Sequence, residues 1–135
     1  MGEKENRLKI ALEHIKRAER TLEAANNLLK TGLYEDSVTR AYYTAFHAAA
    51  GLLYLLGEEP KAYKGLHSIF GLKAVRTGMV EEKLGRYLNK LSSYRESADY
   101  DGLTFISGED AEESIKMAEE SLQKIKDLIK NKFSI

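Results

Sequence analysis

The residues best suited to chemistry lie on two stretches of the chain. In the first, Asp36, Arg40, Tyr43 and His47 are spaced four, three and four apart. On a helix that spacing puts an acid, a guanidinium, a phenol and an imidazole on one face, and Gly51 and Tyr54 continue the line. An imidazole exchanges a proton near neutral pH, and a guanidinium grips a phosphate through two parallel N–H donors. An Asp36–Arg40 pair with a satisfied core histidine would explain the same stripe without any ligand. In the second stretch, SYRESADYD at 93–101, Leu84, Leu88 and Leu91 mark an apolar helical line and Arg95 takes its next step. A charge on a line of leucines either pairs with a neighbouring acid, Asp99 or Asp101, or serves an anion. The chain is predicted to turn directly afterwards, through Ala98, Asp99, Tyr100, Asp101 and Gly102, with Tyr100 and Asp101 as the lip of a polar groove. His67, three residues after Lys64, either faces that groove or caps a basic surface. The expected ligand-binding set is therefore Asp36, Arg40, Tyr43, His47, Lys64, His67, Arg95, Asp99, Tyr100 and Asp101. Within it Arg95, Tyr100, His47 and His67 are the catalytic candidates. Tyr42, Tyr87 and Tyr94 read as packing residues.

Other chemistries fail on inventory. The chain has no cysteine, so thiol nucleophiles, thiolate metal sites and disulfides are excluded. Its three histidines, His14, His47 and His67, are too scattered for a zinc site. There is no HExxH, no Glu-x-x-His pair and no glycine-rich phosphate loop. Neither a metal nor a cofactor is expected.

The elements that must position these residues are all helical. Leu8, Ile15, Leu22 and Leu29 alternate with Ala11, Ala18 and Ala25 in a narrow seam that ends at Gly32. The following segment, YEDSVTRAYYTAFHAAAGLLYLLG, is apolar around most of its circumference, which predicts a central helix. Gly57 and Pro60 end it. A shorter helix is predicted over 63–77, then the Leu84/Leu88/Leu91 helix. The last begins at a Ser107 N-cap with Asp110 three residues on, and its seam is Ala111, Ile115, Ala118, Leu122, Ile125 and Ile129. No strand pattern occurs. The predicted architecture is all-α: one domain over 1–135, an antiparallel up-and-down bundle of four long helices plus one short helix.

The net charge is +0, against whole-surface nucleic-acid binding. It hides an asymmetry. Residues 60–95 carry Lys61, Lys64, Lys73, Arg76, Lys83, Arg86, Lys90 and Arg95 against Glu81 and Glu82, whereas 96–120 are acidic except for Lys116. Such segments can bind an anion, pair with each other or pair between subunits. With no secretory signal at the start and no run of about 18 apolar residues, a cytoplasmic protein without a membrane span is expected.

The run SVTRAYYTAFHAAAGLL, preceded by Gly32-x-Tyr34 and followed by the His67 segment and Arg95-x-x-Ala98-Asp99-Tyr100, resembles the HEPN domain. More narrowly, it is similar to the small prokaryotic branch called UPF0332, over nearly the whole chain. The resemblance implies a helical bundle, commonly a homodimer, often partnered with a minimal nucleotidyltransferase in toxin–antitoxin pairs, with nucleotide or RNA as ligand. Catalytic members are metal-independent ribonucleases carrying arginine, four to six residues, then histidine. Here Tyr100 stands five residues after Arg95 and no histidine follows. The resemblance thus implies a binding protein first. A ribonuclease using Arg95 with Tyr100, His47 or His67 comes second, and a purely structural helical interaction module third.

Overall fold

The computed structural model describes residues 2–60, 63–100 and 105–133, with 63, 64 and 100 described only by their place in a helix. Helix α1 (Glu3–Lys30) buries Ala11, Ile15, Ala18 and Ala25. It ends as its sequence requires. Gly32 takes φ 78°, and the Leu33 and Gly32 amides donate to Leu28 and Leu29 carbonyls at 2.9 and 3.1 Å, a two-bond left-handed cap. Helix α2 (Tyr34–Leu55) ends in the same way at Gly57, φ 88°, where Glu58 N–H reaches the Leu53 carbonyl at 2.9 Å. Its buried polar groups are satisfied. The Ser37 hydroxyl donates to the Ala25 carbonyl at 2.8 Å, and Thr44 shares a 2.8 Å hydrogen bond with Thr21.

Contacts down the chain give the directions. Arg7 donates to the Tyr54 carbonyl, Gly51 faces Ala11, and Ser37 meets Ala25, so α1 and α2 run antiparallel. At Gly51 an added Cβ would stand 3.1 Å from the Ala11 carbonyl oxygen, which is how closely the alanine seam lets the helices approach. Helix α3 (Tyr63–Phe70) is shorter than the predicted 63–77 and passes into a π-helical turn (Gly71–Val75). The wider turn closes with an Arg76 N–H to Gly71 carbonyl bond of 2.9 Å, and Gly78 at φ 78° ends it. Helix α4 (Glu82–Tyr100) buries Leu84, Leu88 and Leu91 against α2. Here the expected turn at 98–102 needs correcting: residues 98–100 are still helical. Ala98 suits a helix, and the Arg95–Asp99 pair at i,i+4 supports the added turn. Asp101 and Gly102 lie outside the described residues.

Helix α5 (Gly108–Phe133) starts with a reciprocal capping box. Asp110 N–H donates to Ser107 Oγ at 3.1 Å, and Ser107 N–H donates to an Asp110 carboxylate oxygen at 3.0 Å. It runs antiparallel to α4, as the Tyr87–Glu120 and Tyr94–Asp110 contacts require. The basic and acidic segments meet within the chain through Lys83–Glu120, Lys90–Glu113 and Arg95–Asp99. The described residues are all-α, four long helices and a short one, with α2 in the middle touching α1, α4 and α5. No helix among them is long and apolar enough to cross a membrane.

Candidate functional site

Helix α2 carries chemistry on two sides. Towards α1, His47 and His14 bring their Nδ1 atoms to 3.0 Å, and the His14 ring stacks on Tyr54 with centroids 5.5 Å apart. One imidazole must donate and the other accept, so two protonated rings do not fit here. Burial pushes the His47 pKa down to about 4, helped by His14 and Arg17. His14 is lowered too, by burial and then Arg17. Both rings are neutral at neutral pH.

Towards α3 and α4 the central residue is Tyr42, fully buried. Its hydroxyl lies 3.0 Å from His67 Nε2, joining α2 to α3. The Arg95 guanidinium from α4 lies over the same ring, 5.1 Å from its centroid. One Arg95 nitrogen is 3.4 Å from the Asp99 carboxylate, whose other oxygen accepts from Thr39 Oγ1 at 3.4 Å. The Arg95 side chain is only 11% exposed and that of Asp99 34%. Burial lowers the His67 pKa, a hydrogen bond with Asn89 works against that, and Arg95 adds to the lowering.

Of the expected site, His67, Arg95 and Asp99 come together. Tyr43 and His47 stand on the adjoining side, linked through ring contacts: Tyr43 is 5.3 Å from Tyr42 and 6.5 Å from His47. Asp36 and Arg40 are exposed, and among the described residues no ion pair joins them. The side chains of Lys64 and Tyr100, and all of Asp101, lie outside the described residues. The sequence analysis read Tyr42 as packing, which its burial bears out, but gave it no place in the site, and gave His14 no role beyond excluding a zinc site. Tyr42 did carry a signal: it lies on the line Val38, Tyr42, Ala45, Ala49, where a buried hydroxyl needs a partner.

Chemically, this is a positioned cation over an aromatic ring with a carboxylate beside it, and a neutral imidazole on the ring's hydroxyl. No group of three His, Asp or Glu able to hold a metal occurs among the described residues.

The HEPN domain profile matches residues 11–128. A protein of Methanocaldococcus jannaschii named as a candidate toxin is 40% identical, over 84% of each chain. A second protein of that organism with the same naming is 35% identical, over 73% of this chain and 67% of its own. A UPF0332 protein of Thermotoga maritima is 32% identical over 97% of both. With a profile match that takes in α2 and α4 together with the tyrosine and arginine between them, the chain belongs to the HEPN domain family.

Proposed function

We propose that this protein acts as one HEPN domain over 1–135 in a toxin–antitoxin-type pair, and that it binds nucleotide or RNA through phosphate at Arg95. The observation that carries this is the guanidinium held 5.1 Å above the Tyr42 ring centroid, with the partly exposed Asp99 carboxylate 3.4 Å away. A phosphodiester offers the same two-oxygen acceptor as Asp99 and can take its place. Two relatives named as candidate toxins support the pair, and the resemblance supports a minimal nucleotidyltransferase as partner and the cytoplasm as location. The resemblance also supports a homodimer; light scattering should then give twice the 15.2 kDa chain mass. The binding test is anisotropy of a labelled oligoribonucleotide. Arg95→Ala should weaken binding about tenfold or more, and Arg95→Lys should restore little, because the planar fork is lost. A folded Arg95→Ala protein that binds as wild type overturns the reading. An Arg95→Ala protein that melts instead identifies the arginine as a structural bundle residue.

A second reading is favoured by His67. Its neutral imidazole and Arg95 flank one tyrosine, so the ring could take a ribose hydroxyl proton while Arg95 stabilises the charge developing on phosphorus. It ranks second because Nε2 is engaged by the Tyr42 hydroxyl. Cleavage of labelled RNA in chelator, abolished by His67→Asn, would promote it. Intact RNA would remove it.

A further inference from the structure

We propose that the cavity between α3, the π-helical turn and the first half of α4 is a nucleotide subsite for single-stranded RNA, next to the phosphate held by Arg95; this rests on the RNA-binding reading above. The cavity is about 630 Å³, within the range of small-ligand sites. His67 belongs both to its wall and to the Tyr42 contact beneath Arg95, so cavity and cluster adjoin. The π-helical turn shapes it. Val75 approaches Gly85 so closely that an added Cβ would stand 3.2 Å from Val75 Cγ2. The residue after each, Arg76 following the π-helical turn and Arg86 on α4, lines the cavity.

The charge pattern singles out these two arginines. Along the basic segment, Lys73 pairs with Glu58, Lys83 with Glu120, Lys90 with Glu113 and Arg95 with Asp99. Arg86 has only a loose 3.8 Å contact with Glu82, both side chains mostly exposed, and Arg76 has no acidic partner among the described residues. Among the described residues of that segment, the two cations without a close acidic partner thus both line this cavity, which Glu82 also borders. Its other character is apolar: Leu72 is 51% exposed beside Phe70 and Val75, a surface on which a base can lie. Asn89 lines the same space and offers an amide to a base edge. Two guanidiniums, an apolar shelf and an amide match a nucleotide. An acidic peptide would use the arginines alone.

The test is anisotropy of a fluorescein-labelled single-stranded RNA of about ten nucleotides across a salt series. Arg76→Ala/Arg86→Ala alters exposed side chains, so circular dichroism and melting should match wild type. The expected result is a Kd raised about tenfold or more and a log–log salt slope reduced by about 1.4, for two lost phosphate contacts. Gly71→Leu fills the cavity from a position where an added Cβ meets nothing within 4 Å; it should raise Kd about fivefold or more with the slope unchanged. If Arg95→Ala weakens binding while the double variant does not, the subsite is wrong and the RNA reading stands. If the double variant weakens binding but Gly71→Leu does not, phosphate is held without a seated base, and the nucleotide subsite is overturned in favour of a charged surface. If wild type binds no RNA, both proposals fall.

Discussion

His47 stands on α2 and His67 on α3 beside it; both lose basicity through burial, and yet they belong to different kinds of place. His47 faces α1, meets another imidazole at 3.0 Å, and is further disfavoured as a cation by Arg17. That contact joins α2 to α1, and beyond it His14 stacks on Tyr54 and borders a recess with Ile10 and Arg17. His67 meets a phenol that also lies under a guanidinium, and it borders a cavity. The same side chain fastens two helices in one region and joins a cation to an open space in the other. The difference lies in what stands on the far side of its partner, which the histidine's own neighbours in sequence do not specify.

The largest test of that contrast is Tyr42→Ala. It empties a fully buried site between His67 and Arg95 and should cost about 3–5 kcal/mol in urea unfolding, as buried aromatic truncations do. Tyr42→Phe keeps the ring under Arg95 and removes only the hydroxyl; about 1–2 kcal/mol is expected. A Tyr42→Phe protein as unstable as Tyr42→Ala would mean that the hydroxyl, not the ring, holds the α3–α4 side together.

On the other side, Gly51→Val forces a branched side chain against the Ala11 carbonyl and should cost about 1–3 kcal/mol. Folded Gly51→Val should retain wild-type RNA affinity, because the α1 seam takes no part in the site. Weakened binding there would break the division between the two regions.

The smallest effect is in pH dependence. His47 titrates at about 4 when folded and near 6.5 when unfolded. Between those values the unfolded chain holds the extra proton. Stability is therefore undiminished by this group above pH ~6.5 and declines as pH falls toward 4. His67 is shifted in the same direction. In urea midpoints measured from pH 7.5 down to 4.5, His47→Asn should flatten the decline more than His67→Asn. The reverse order would place the stronger desolvation on the cavity side.

Much of this architecture could be read locally. The Leu/Ile/Ala seam of α1, the left-handed caps at Gly32 and Gly57, the leucine line of α4 and the capping box at Ser107 each depend on residues within one or two turns. The pairing of Arg95 with Asp99 was legible for the same reason, since a charge on an apolar line is a local anomaly that calls for a partner. The site was less so. Tyr42 and Tyr43 are adjacent, and a helix turns about 100° between them; which one meets Arg95 depends on where α4 lies around α2. The expected groove used Tyr43 and His47; that Tyr42 also touches Arg95 and His67 was not expected.

The amino-acid sequence by itself determined the long helices, the caps at Gly32, Gly57 and Ser107, the apolar seams and the family, because periodicity and capping act over a few residues, whereas the ends of α3 and α4 departed from it. Tertiary structure alone decided that His14 finds His47 across 33 residues and that Tyr42 finds His67 across 25. It also decided that the π-helical turn and α4 leave a cavity lined by two arginines. Those outcomes depend on the rotation and spacing of whole helices packed against one another, and no short window of sequence encodes them.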